Sequence, residues 1–199
     1  MTTGLDALPH GYRFLANETG APPLLIEALK LYGVREYPGA ADNPAIIAWR
    51  SELCDAHPNL AWIREVYSGD AVPWCGLFMA YAAHRAGHGA PQPRFLAARS
   101  WQDWGEPVQD AAELGDALVF WRDQPDGRSG HVGIYVGEDD GFFHVLGGNQ
   151  SDSVSFTRIR KTRLLEARRP APVPHRPVTG WRGRIYIDPG AADVTENEA

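Results

Sequence analysis

The stretch Val72-Pro73-Trp74-Cys75-Gly76-Leu77-Phe78-Met79-Ala80-Tyr81-Ala82-Ala83-His84-Arg85-Ala86-Gly87 decides the reading of this chain. Pro73 and Gly87 bracket a predicted helix as start and stop signals. Leu77, Phe78, Tyr81 and Ala82 fall at helical spacing and form one apolar stripe. Cys75 therefore opens the helix, where unpaired backbone N–H groups and the positive end of the dipole converge. That setting favours a thiolate over a thiol. The bland alternative is a cysteine serving as a small buried hydrophobe.

Outward from this helix, the N-terminal half reads as helices and the C-terminal half as strands. Pro22-Pro23 opens a helix over 24–32, and Asn43-Pro44 caps a second one through Leu53. Residues 1–21 read as a loose lead-in and 55–72 as irregular. Ser100 is read as a helix cap, with Trp101 and Trp104 three residues apart behind it. Residues 115–121 read as a turn feeding a buried strand, and further strands are predicted at 131–136, 142–146, 154–159 and 163–168. Helices first and strands second imply α+β with N-terminal helices packed on an antiparallel β-sheet. The organisation is a lead-in (1–21), a main domain (22–169) and a proline-rich extension (170–199). An edge strand over 181–187 and a frayed acidic tail close the chain.

Bulk properties exclude several function classes. At 199 residues the chain suits one domain with a real core. A net charge of -6 does not suggest nucleic acid as a partner. No apolar run approaches the ~20 residues of a membrane span. The first 15 residues lack the pattern of a signal peptide, so synthesis in the cytoplasm is expected. Two cysteines and seven histidines show no zinc-ligand spacing, so no metal and no cofactor are expected. Cys54 reads as a bystander.

A nucleophilic thiol needs a base, and Gly130-His131-Val132-Gly133-Ile134-Tyr135-Val136-Gly137 offers His131 at the mouth of a strand. A third polar group must then fix its tautomer. With a two-residue turn at Asp139-Asp140, paired positions sum to 279 and set His131 opposite residue 148. A shifted turn moves that partner to Asn149 or Gln150. On this geometry His144 lies about four residues away, or ~13 Å at ~3.3 Å per residue. A bulge would reverse that arithmetic and bring in His144.

These stretches, with Leu31-Tyr32-Gly33-Val34-Arg35-Glu36, Ala98-Arg99-Ser100-Trp101, Gly115-Asp116-Ala117-Leu118-Val119-Phe120-Trp121 and Val145-Leu146-Gly147-Gly148-Asn149-Gln150-Ser151, resemble the NlpC/P60 and CHAP superfamily of papain-like cell-wall hydrolases. The likeness covers roughly residues 22–169. It implies a papain-like NlpC/P60-CHAP fold, Cys75 as nucleophile and His131 as base. CHAP-like spacing implies Asn149 as third residue, and NlpC/P60-like spacing implies His144. Trp74, Trp101 and Gln150 are expected at the substrate. Trp74 and Gly76 stand where family members often carry Asp and Ser, which leaves amidase and endopeptidase specificity open. The implied substrate is the peptide stem of peptidoglycan, cleaved as by a phage endolysin or a secreted antibacterial effector. Action in the periplasm or cell wall then requires holin-dependent delivery or a secretion system, the latter with a cognate inhibitor or immunity protein. Two other readings are a non-catalytic wall-binding module and a thiol acyltransferase on the same fold.

Overall fold

The computed structural model describes residues 4–17, 19–39, 41–89, 93–174, 176, 178–180 and 183–195. Four α-helices precede the sheet: α1 (Pro23–Leu29), α2 (Pro44–Ala56), α3 (Ile63–Val66) and α4 (Cys75–Ala86). The strands are β1 (Glu106–Pro107), β2 (Ala117–Trp121), β3 (Gly130–Glu138), β4 (Phe142–Gly147), β5 (Ser155–Arg160) and β6 (Leu164–Arg169). They form one antiparallel sheet in the order β1-β6-β2-β3-β4-β5. The chain is therefore α+β, as its order of helical and strand patterns implies. Among the described residues no helix is long and apolar enough to cross a membrane.

α4 sits at the centre of the helical layer and packs against α1, α2, β3 and β4. Leu77, Phe78, Met79, Ala80 and Ala82 are fully buried, a wider face than the predicted stripe. Trp74 O accepts the first helical bond from Phe78 N–H at 2.8 Å. At the other end Gly87 takes a left-handed φ of 95°, and its N–H and that of His88 turn back onto the last carbonyls. α2 is capped as expected: the Asn43 side chain accepts from Ala45 N–H at 2.8 Å, with Pro44 at the first position. Period-two alternation then sorts the sheet. Ala117, Val119, Val132, Ile134 and Val136 join the helical core, while Leu118, Phe120, Tyr135 and Val145 form a smaller cluster on the opposite face.

Several expectations need correction. The lead-in is not loose: 3-10 turns at Leu5–Ala7 and His10–Asn17 bury Leu8, Tyr12 and Leu15 in the same core, and Tyr12 stacks on Phe156 at 3.8 Å between ring centroids. α1 stops at Leu29 and gives way to turns. The stretch 55–72 contains α3 and a 3-10 turn at Pro58–Leu60. Ser100 lies inside a 3-10 helix, Ala98–Asp103, and its hydroxyl donates to Arg94 O instead of capping. The 181–187 segment, of which 181 and 182 fall outside the described residues, adds no strand. Tyr186 makes only an isolated parallel bridge to Glu138, where Glu138 N–H donates to Ile185 O at 2.7 Å and Ile187 N–H to Glu138 O at 2.9 Å. Ile187 is nonetheless buried in the main core.

Candidate active site at the start of α4

Gly147 and Gly148 build the site by having no side chains. A Cβ on Gly148 would lie 2.8 Å from Trp74 Cζ3 and against Phe78, so this turn packs directly on the first turn of α4. A Cβ on Gly147 would lie 2.9 Å from His131 Nε2 and would strike the Gln150 amide. The glycine pair thus separates the first turn of the Cys75 helix from a His131–Gln150 pair. Gly76, next to Cys75, is equally constrained: a Cβ there would fall 2.7 Å from Leu96 O.

His131 is 2 % exposed, and its Nε2 lies 3.0 Å from Gln150 Oε1. The direction of that bond follows from the rest of Gln150. Its amide nitrogen donates to Ser155 O at 2.5 Å and to Val145 O at 3.4 Å. Both acceptors are carbonyls, so the –NH2 must face them and Oε1 must face the imidazole. His131 Nε2 is then the donor, and in the neutral ring Nδ1 carries the lone pair.

The acceptor at Nε2 is thus Gln150, one residue beyond the expected Asn149. A longer loop and a bulge change the register sum, but that alone would still set residue 149 opposite His131; the change to Gln150 comes from the turn that ends the strand. Glu138 pairs with Phe143, the register slips between Tyr135 and Gly137, and Ile134 pairs with Leu146. Paired positions therefore sum to 281 and then 280, not 279. The strand ends at Gly147, and Asn149 takes a left-handed φ of 60° inside a tight turn. Gln150 N–H donates to Ser153 O at 3.0 Å, and the Ser153 hydroxyl donates to Gln150 O at 2.8 Å, which holds the turn closed.

His144 does not serve His131, because both of its ring nitrogens are committed elsewhere. It pairs with Gly137 across the hairpin, far up the strand. The Tyr12 hydroxyl lies 2.5 Å from Nδ1, and Asp139 Oδ2 lies 3.2 Å from Nε2. Arg158 Nε binds the same Asp139 oxygen at 2.8 Å. Burial holds His144 below its ordinary pKa and outweighs the pull of Asp139. A neutral ring suits the geometry, donating from Nε2 to the carboxylate and accepting the Tyr12 proton at Nδ1. For Asp139, burial pushes upward, but bonds from Gly141 N–H, Arg158 and His144 win and hold its carboxyl below the usual range.

The tryptophans expected at the substrate are both structural. Trp74 is fully buried, and its Nε1 donates to Glu36 Oε1 at 2.6 Å. Trp101 is 2 % exposed, donates to Phe95 O at 2.9 Å and packs edge-on against Trp104. Glu36 is a partner of Trp74 that spacing alone does not reveal. Its segment pairs with the turn after Gln150: Gly33 N–H donates to Val154 O at 3.0 Å, and Glu36 N–H to Asp152 O at 2.8 Å. Burial raises the Glu36 carboxyl, partly offset by the Trp74 bond. Tyr67 is also fully buried and donates to Val72 O at 2.8 Å. Burial first, then the negative groups Glu36, Asp70, Cys75 and Asp42, drive its hydroxyl far above the ordinary range.

α4 carries no side-chain cap and no acidic residue in its first turn. Cys75 is in no disulfide and is 7 % exposed. Cys54, likewise outside any disulfide, gives a weak bond to Leu60 O at 3.4 Å, and burial raises its thiol. Among the described residues no group of three or more His, Cys, Asp or Glu side chains forms a metal-binding cluster. Neither a family model, a curated protein nor a solved structure matches this chain.

Proposed function

We propose that this chain is a papain-like cysteine hydrolase that cleaves an amide bond in the peptide stem of peptidoglycan. The observation that carries the reading is the oriented His131. With Nε2–H donating to Gln150, the ring presents Nδ1 as a base, from a strand packed against the helix that Cys75 opens. Gln150 takes the role of third residue in place of Asn149. The peptidoglycan assignment rests on the sequence resemblance over 22–169.

The chemistry is acyl transfer. His131 Nδ1 takes the Cys75 proton, and the sulfur attacks the scissile carbonyl carbon. The negative charge moves to the carbonyl oxygen, where the uncapped start of α4 supplies backbone N–H donors. The imidazolium, held by Gln150, returns the proton to the leaving amine as the C–N bond breaks. A water then gives its proton to His131 and its oxygen to the thioester, releasing the acid and restoring the thiol.

The test is turbidity loss of purified sacculi, with mass spectrometry of released fragments. Wild type clears them, a folded Cys75→Ala protein does not, and fragment masses name the bond. A wild type that releases nothing from any sacculus type refutes the reading and moves wall binding or another acyl chemistry forward.

A further inference from the structure

A wide depression of about 960 Å³ opens beside the site, lined by Arg94, Arg99, Ser100, Asp103, Gly127 and Arg128 among others. Its two walls continue into the segments that hold the two proposed reacting groups. One wall begins at Phe95-Leu96, whose carbonyls press on Gly76 beside Cys75. The other ends at Ser129-Gly130, directly before His131. Arg99 ties the walls together. Its Nε donates to Ser129 O at 2.8 Å, and its two terminal nitrogens donate to Pro125 O and Gln124 O, each at 2.9 Å.

The charge of this depression runs against the rest of the molecule. The chain carries -6 overall, yet three guanidinium groups converge here. Every contact described for Arg99 is to a neutral carbonyl, so its charge is not cancelled. Arg94 and Arg128 are exposed, and neither has a carboxylate within ion-pair distance among the described residues. Asp103 shares the lining and Asp126 the adjoining loop, and neither pairs with any of the three. Guanidinium forks match carboxylates in shape and charge. The acidic surface elsewhere disfavours a long polyanion.

We infer that this groove is a substrate subsite for the free carboxylates of an acidic peptide, bound by Arg94 and Arg128 on a frame fixed by Arg99. The inference rests on the hydrolase reading above and deepens it. An acidic stem peptide would lie with its carboxylates in the groove and its scissile amide toward Cys75.

The test measures binding, so it does not depend on turnover. The probe is the tetrapeptide L-Ala-γ-D-Glu-diaminopimelate-D-Ala, compared with the same peptide carrying carboxamides at its free acids. Each is titrated calorimetrically into the Cys75→Ala protein and into an Arg94→Gln/Arg128→Gln version of it. Arg99 is left in place because it holds the loop. The expected result is about tenfold weaker binding for the carboxamide peptide and for the double variant. Binding of the acid form should also weaken with added salt. Equal affinity for acid and amide forms, or no binding of either, overturns the subsite without any variant having to fold. The expected pattern from a protein whose wild type hydrolyses nothing supports the groove and refutes the hydrolase reading instead.

Discussion

Replacing Gln150 tests the orientation of His131 without reference to any substrate. Gln150→Ala removes the acceptor from His131 Nε2 and the donors to Ser155 O and Val145 O. The first is a buried bond of ordinary length, the second is short and part-buried, and the third is long and weak. A net hydrogen bond is worth about 1 kcal/mol, and a buried group left without a partner costs about 1–3 kcal/mol. The side chain is 2 % exposed, so the lost packing adds to this. The expected loss is about 3 kcal/mol, or roughly 6–12 °C in Tm for a domain of this size. Calorimetry checks the magnitude. Nitrogen-15 shifts of the imidazole check the mechanism: in neutral wild type Nε2 should carry the proton, and the alanine variant should populate both tautomers. Gln150→Glu separates the two functions, because it keeps an acceptor for His131 but turns an oxygen on both carbonyls. It should retain the Nε2–H tautomer while losing stability. A wild-type ring protonated at Nδ1, or a Tm change below about 2 °C in the alanine variant, would refute the reasoning.

Three further outcomes follow from the same geometry. Gly76→Ala should cost about 2–4 kcal/mol in denaturant unfolding, because the new methyl meets the backbone carbonyls of Phe95 and Leu96, which cannot swing away; a neutral effect would mean that this turn yields. The His144 contribution to stability, its folded pKa being depressed, is present in full above the ordinary value of 6.5 and lost as pH falls from there through the folded value. Asp139, also depressed, adds a second loss below its ordinary value of 3.8. His144→Gln should flatten the upper slope of Tm against pH and leave the lower one, and an unchanged upper slope would count against the assignment. Iodoacetamide on the native protein, read by peptide mass mapping, should alkylate Cys75 well before Cys54, whose buried thiol resists ionisation; equal labelling would contradict a special role for Cys75.

The main frame of the molecule was legible in the chain because it rests on local signals. Asn43-Pro44 and Gly87 are caps that work within one turn. The strands announced themselves as apolar runs, and the order of helices and strands gave the antiparallel sheet. What escaped depended on distant partners. Tyr12 is buried through Phe156 and His144, which no pattern within residues 1–21 encodes. Trp74 reads as a substrate residue until Glu36, 38 positions earlier, is seen to take its N–H. The contact at His131 Nε2 falls to Gln150 because the strand stops at Gly147 and Asn149 lies in a left-handed turn, which register arithmetic does not carry. The four-residue loop moves the count by two, and the bulge after Tyr135 takes one back. Tyr67 and Trp62 share a stretch with no periodic pattern, yet Tyr67 is fully buried and Trp62 is 39 % exposed.

Arg176 carries a consequence for where this protein can be cut. Its guanidinium donates to Arg85 O at 3.1 Å and Ala86 O at 3.2 Å, the final carbonyls of α4, and pairs with Glu27 at 2.9 Å. The extension therefore closes the negative end of the same helix whose positive end holds Cys75. Thr179 and Gly180 N–H groups both donate to Gly20 O, which fastens the extension to the start of α1 as well. A fragment trimmed to 22–169, the span that the sequence likeness covers, would lose this clasp and the buried anchors Tyr12 and Ile187 together. The unit that a sequence likeness outlines and the unit that can be excised and still stand are different lengths of chain.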